Sequence, residues 1–179
     1  MKTQEAVTDS RPGVTQFLTF LLGEEVFAMD IRTVREIIQH GNMTTVPLMP
    51  SFVRGVINLR GAVVPVIDLN ARFSRPPAKV GKKTCIVIFD SLPNQGTSGG
   101  TSSERTELGL MVDAVSEVIS IEAAQIEPPP NFGAAVRRDF ISGMGKVGAR
   151  FVVILDADRA FDVSEMAQLC ETQQLAQAA

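Results

Sequence analysis

Residues 52–69 constrain the fold of this chain more than any other stretch. Two short apolar runs rich in Val and Ile, Phe52-Val53-Arg54-Gly55-Val56-Ile57 and Ala62-Val63-Val64-Pro65-Val66-Ile67, flank Asn58-Leu59-Arg60-Gly61. β-branched runs of this length read as strands. Gly61 takes a positive φ without steric cost, so a tight hairpin is expected there. Arg60 then sits at the tip with its guanidinium directed outward, offering donors in fixed geometry to a partner carboxylate. The plainer alternative is a turn arginine that only aids solubility, because most surface charges contribute little.

Residues 1–13 read as a disordered tail, polar and without the apolar core of a secretory leader. Residues 14–22 partly alternate and predict a strand, with a turn at Gly23-Glu24-Glu25 and a return strand at Val26-Phe27-Ala28-Met29. Asp30 is placed to cap a helical turn through Ile31-Arg32-Thr33, before a one-sided strand at Val34-Arg35-Glu36-Ile37-Ile38. Pro47 and Pro50 keep 41–50 a loop. Asp68 caps a further turn over 69–73, and Pro76-Pro77 marks a boundary. Thr84-Cys85-Ile86-Val87-Ile88-Phe89 predicts a core strand, with Cys85 a small buried hydrophobe. The Gly/Ser/Thr-rich stretch after it is a long hairpin loop. Strands follow over 108–121, then the stiff Pro128-Pro129-Pro130 and a hairpin over 140–155. From Asp158 onward the spacing is helical, and Asp162 with Glu165 resembles a capping box. About ten short strands with regular turn signals describe an all-β sandwich or barrel pair.

The chemistry-bearing residues are sparse. Gly143-Met144-Gly145-Lys146-Val147-Gly148 fits a dinucleotide fingerprint in letters, but a strand follows it where a helix N-terminus must hold the pyrophosphate, so it reads as a hairpin turn. His40, the only histidine, has no Ser or Cys partner nearby in sequence, and no His/Cys spacing suits a metal. Scattered carboxylates leave paired-acid chemistry open without pointing to it. The net charge of −3 and the absence of Trp and Tyr count against a nucleic-acid protein. No apolar run reaches the roughly 18–20 residues of a membrane span. The expectation is a non-enzyme without metal or cofactor, an interaction module whose edges and turns bind other chains.

The run from Gly55 to Leu69 closely resembles the signature of the CheW family, the bacterial chemotaxis coupling proteins. Val34-Arg35-Glu36-Ile37, the stretch from Gly109 to Val118, Pro128-Pro129-Pro130 and Ile141-Ser142-Gly143-Met144-Gly145 resemble other parts of the family's pattern, in its order. The resemblance implies two intertwined five-stranded SH3-like barrels with short helical turns and a C-terminal helix. It places a domain at 14–162, with about 23–80 in one barrel and about 14–22 plus 82–160 in the other, and leaves 163–179 as a C-terminal helix or tail. It also implies a cytoplasmic adaptor that bridges the cytoplasmic tips of methyl-accepting chemoreceptors and the regulatory domain of a CheA-type histidine kinase. Such an adaptor is a monomer outside the array, binds no nucleic acid and does not insert in the membrane. By motif match, Val34, Glu36, Gly55 and Arg60 form the kinase-binding face, and Gly109, Val115 and Val118 lie at a receptor-binding groove. Phe132 matches a second, ring-forming kinase contact. Two features depart from the family's usual form: the Gly/Ser/Thr-rich loop near 94–103 and the C-terminal extension. The alternatives are the same scaffold in another chemosensory-type pathway, controlling surface motility or a second messenger, and, from a different class, a small-ligand enzyme or nucleic-acid barrel.

Overall fold

A computed structural model describes residues 12–91, 106–129 and 138–161. Eleven strands are present among them: β1 Val14–Leu22, β2 Glu25–Asp30, β3 Val34–Gln39, β4 Val53–Leu59, β5 Ala62–Asp68, β6 Cys85–Ser91, β7 Thr106–Val112, β8 Ala114–Glu122, β9 Ile126–Glu127, β10 Ile141–Val147 and β11 Arg150–Leu155. Among the described residues helix is confined to single turns, of which α1 Leu69–Arg72 and α2 Ala157–Ala160 are the longest. Local chemistry sets the turns. Asp30 accepts from the Arg32 amide at 2.9 Å and starts a 3-10 turn, and Asp68 accepts from the Asn70 and Ala71 amides at the head of α1.

The strands form two SH3-like barrels. The first has the order β8-β1-β2-β11-β10-β9 and the second β3-β6-β7-β5-β4. The first therefore holds six strands rather than the expected five, the extra one being the two-residue β9. The division along the chain also differs from the expectation. β2 stays with β1 through the two-residue turn at Gly23-Glu24, and β6 and β7 join β3, β4 and β5. The β1–β2 hairpin holds its two strands together, and β6 and β7 pair with each other and with β3 and β5 across long connections, so the punctuation at Pro76-Pro77 falls inside the second barrel. The chain leaves the first barrel after Asp30 and returns to it at Asp113, so the second is inserted within the first. The proposed helix over 163–179 lies outside the described residues. Cys85 is half-buried rather than buried, its thiol 3.3 Å from the Lys83 carbonyl.

The two barrels are variations on one unit. Residues 52–73 and 140–161 align without a gap, sharing Phe52/Phe140, Gly55/Gly143, Val64/Val152, Asp68/Asp156 and Phe73/Phe161. The structure repeats the same devices in both. The Asp68 amide donates to the Phe52 carbonyl at 2.7 Å, and the Asp156 amide to the Phe140 carbonyl at 2.8 Å. Each aspartate caps a four-residue helix that ends at a buried phenylalanine. Each hairpin shifts register just before its shared glycine, and each second strand pairs in parallel, β5 with β7 and β11 with β2.

One core spans both barrels. Phe20, Phe27, Phe73, Phe89, Phe140 and Phe161 are buried in a single cluster, with ring centroids 5.8 Å apart for Phe27–Phe73 and 6.2 Å for Phe73–Phe140. Offset aromatic pairs at such spacing add to the burial of their area. The Arg72 guanidinium sits 5.0 Å from the Phe52 ring and 4.6 Å from the Phe140 ring, and its Nε donates to the Ala160 carbonyl at 3.2 Å. Asp113 completes the join: it accepts from the Gly23 amide at 2.6 Å and from Asn70 Nδ2 at 3.1 Å.

Candidate functional site

The β4–β5 hairpin turns through two residues, Arg60 at φ 52° and Gly61 at φ 86°. Positive φ at both central positions gives the twist that antiparallel strands need, and Asn58 Oδ1 steadies the turn by accepting from the Gly61 amide at 2.9 Å. Arg60 is thus held at the tip by backbone geometry, as the sequence predicts. Its guanidinium does not simply face solvent: Nη2 donates to Glu36 Oε2 at 3.0 Å, joining the hairpin tip to β3. The arginine side chain is 77% exposed in this pair, so it retains donors for a further carboxylate.

Two other expected members of this face have different positions. Val34 is half-buried and packs against the shared core, while Ile37, three residues further along β3, is 42% exposed. Gly55 is buried, and a Cβ there would lie 2.4 Å from the Thr44 carbonyl oxygen. It offers no contact surface. It lets the 42–46 loop close on β4 through the paired Thr44 and Val56 hydrogen bonds, at 2.9 and 2.8 Å.

The expected receptor group divides in the same way. Val115 and Val118 lie on β8, an edge strand of the first barrel, and Val118 is 42% exposed. Gly109 lies on β7 in the interior of the second barrel, where a Cβ would meet Ile86 Cγ2 at 2.8 Å. It is a packing residue and does not line a groove with the two valines. Phe132 lies outside the described residues.

The repeat relates the two sets of residues. β3 and β8 occupy the same position in their barrels, each at an edge and each pairing with the strand that carries a core phenylalanine. Val34 pairs with Phe89 and Val115 with Phe20, a register shift follows in both, and the sequences run Val34-Arg35-Glu36-Ile37 and Val115-Ser116-Glu117-Val118. Ile37 and Val118 are exposed to the same degree. The faces expected for two different partners are therefore one structural position used twice. They differ at the hairpin tip, where Gly148-Ala149 stands in place of Arg60-Gly61, so Glu117 has no counterpart of Arg60.

Two shallow clefts accompany these faces. One, of about 480 Å³, is lined by Arg35, Val63, Asp90 and Glu107 at the Arg60 end of the second barrel, where Arg35 is ion-paired with Glu107 and lies 3.6 Å from Asp90. The other, of about 650 Å³, lies between the β1–β2 turn and the loop after α1, with Asn70, Arg75 and Asp113 among its lining. The surroundings of Asp30 lower its pKa. Burial alone raises it, but the hydrogen bonds from the Arg32 side chain and amide, with the charge, hold it below the usual carboxylate range. Among the described residues no cluster of three or more His, Cys, Asp or Glu could hold a metal ion, and no helix is long and apolar enough to cross a membrane.

Residues 16–165 match the CheW-like domain. The chain belongs to the CheW-like family. It is 33% identical over 152 residues to a chemotaxis protein CheW of Klebsiella aerogenes, covering 85% of this chain and 84% of that protein. It is 31% identical over 120 residues to protein FrzA of Myxococcus xanthus, covering 67% and 68%. Among solved structures it resembles the scaffolding protein TtCheW of Thermoanaerobacter tengcongensis, with a TM-score of 0.72 and 33% identity over 86% of this chain and 91% of that one. The pair of barrels expected from the CheW signature is thus the fold of the family. No motif flagged the equivalence of β3 and β8; the repeat of 52–73 in 140–161 was the available signal.

Proposed function

We propose that this chain is a non-catalytic cytoplasmic adaptor coupling methyl-accepting chemoreceptors to a CheA-type histidine kinase in a signalling array. The observation that carries the reading is the Glu36–Arg60 pair, held by a rigid two-residue turn. A charge pair of fixed geometry whose arginine stays largely exposed suits a specific and moderate protein contact. Glu36 and Arg60 supply the charges of the kinase-binding face, with Val34 and Gly55 supporting it from within. Val115 and Val118 form the receptor side, on the matching edge of the other barrel. Phe132 makes the second kinase contact.

Titration of the full chain against a CheA-type regulatory domain tests this reading. Arg60→Glu is expected to weaken binding with the fold retained, and equal binding by both proteins refutes the kinase face. The likeness to FrzA, a relative not named as a chemotaxis protein, favours a second reading, the same scaffold in another chemosensory-type pathway, controlling surface motility or a second messenger. Exchange of receptors and kinases from the two pathways in the same titration separates the two.

A further inference from the structure

The loop between α1 and β6 presents a surface that none of the faces above uses. Residues 69–89 include Arg72, Arg75, Lys79, Lys82 and Lys83 and no carboxylate, in a chain whose net charge is −3. Arg72 and Arg75 turn inward, to the Ala160 and Leu22 carbonyls. Lys79, Lys82 and Lys83 are exposed and have no carboxylate partner among the described residues. Arg32, Arg35, Arg54, Arg60, Arg75 and Arg159 each lie beside one. Among the three lysines, Val80 is 51% exposed.

This loop is pinned at both ends. The Ala78 amide donates to the buried Asp68 at 3.0 Å, and the Ala78 carbonyl accepts from Arg54 at 3.2 Å. The Gly81 amide donates to Thr84 Oγ1 at 2.8 Å, and the Thr84 amide to the Gly81 carbonyl at 3.2 Å. Ala78 and Thr84 are themselves buried, and Pro76-Pro77 stiffens the approach. A surface held in this way has little left to order when a partner arrives.

We infer that residues 79–83 form a docking surface for an acidic segment of a protein partner, in which carboxylates flank an apolar side chain seated on Val80. Lysine ammonium groups on flexible stems suit carboxylates spaced along a segment, whereas paired oxygens on one phosphate favour an arginine fork. The chain's overall negative charge opposes approach to an extended anionic surface such as a bilayer, and this favours a discrete acidic segment. The surface is separate from the Glu36–Arg60 face. Cys85, just beyond the loop, pairs with Gln39, whereas Glu36 pairs with Ile88, roughly 10 Å further along β6.

The test uses the full chain and a labelled peptide of aspartates and glutamates around a central leucine, followed by fluorescence anisotropy and amide NMR spectra. The expected result is shifts clustered at 79–83. Affinity should be lower by at least about ten-fold both in Lys79→Glu/Lys82→Glu/Lys83→Glu and in the uncharged triple glutamine variant, and unchanged in Arg60→Glu. Val80→Ser should weaken the leucine peptide but not one with serine in its place. Wild-type affinity in a triple variant that melts like the parent overturns the proposal. So do shifts scattered away from the loop, or co-sedimentation with phosphatidylserine vesicles that is tighter than peptide binding, which assigns the patch to lipid.

Discussion

Replacing Arg72 by Met should test whether the two barrels are one cooperative unit. The side chain reaches from α1 in the second barrel to Phe140 and Ala160 in the first, with its guanidinium between two rings at 5.0 and 4.6 Å. Each cation–π contact in a partly desolvated site contributes about 1 kcal/mol. The charge-assisted hydrogen bond to the Ala160 carbonyl adds about 1.5 kcal/mol. Met keeps much of the apolar stem and fills part of the space, which offsets a fraction of the loss. The net expectation is a destabilisation of about 2–3 kcal/mol, or roughly 4–12 °C in melting temperature for a chain of this size. Arg72→Lys should recover less than half of it, because an ammonium cannot lie flat between two rings. Denaturant melts followed by far-ultraviolet circular dichroism read the loss directly. A single transition is expected in parent and variant. A loss below about 1 kcal/mol means that the cross-barrel sandwich is incidental. Two separated transitions in the parent contradict the shared core.

Other substitutions probe individual links. Gly55→Ala forces a Cβ to within 2.4 Å of the Thr44 carbonyl oxygen at a φ of 152°, and should cost at least about 2–3 kcal/mol by detaching the 42–46 loop, read as a lower melting temperature. Asp30 has a folded pKa below its unfolded one, so its contribution to stability is fully present above about pH 4 and fades as pH falls through the lowered folded value. Asp30→Asn should lower stability at neutral pH and remove that part of the pH dependence, so that its stability-against-pH curve approaches the parent's at low pH. Val118→Asp adds a charge at an exposed position, so its melt should match the parent within about 0.5 kcal/mol while binding of a receptor cytoplasmic tip is lost; retained receptor binding removes β8 from the receptor side.

What the sequence disclosed was local. β-branched runs marked the strands of the central hairpin, and Asp30 and Asp68 announced their caps, because each of these depends on neighbours a few residues away. The tip position of Arg60 followed from Gly61 for the same reason. Its internal partner Glu36 did not, since a contact across 24 residues depends on how β3 closes against the hairpin. Strand assignment to barrels failed at both expected boundaries: Pro76-Pro77 falls inside the second barrel, and the split between residues 22 and 23 falls inside the β1–β2 hairpin, whose two strands share the first barrel. Gly55 and Gly109 matched the family's functional pattern but are buried, and their lack of a side chain serves packing. The pattern alone does not separate a residue that touches a partner from one that shapes the backbone beneath it.

The central claim, that Arg60 meets a kinase carboxylate beyond its bond to Glu36, is tested by one titration with three proteins. Parent, Arg60→Glu and the charge-swapped Glu36→Arg/Arg60→Glu are each titrated against a CheA-type regulatory domain, with melts run in parallel. Reversal should weaken binding by about 1–3 kcal/mol, or roughly 5- to 150-fold. The swap should recover the internal ion pair and the melt, yet leave binding weak, because the kinase then faces the wrong sign at the tip. Full recovery of binding by the swap would mean that the pair is only an internal brace and that the kinase reads another surface.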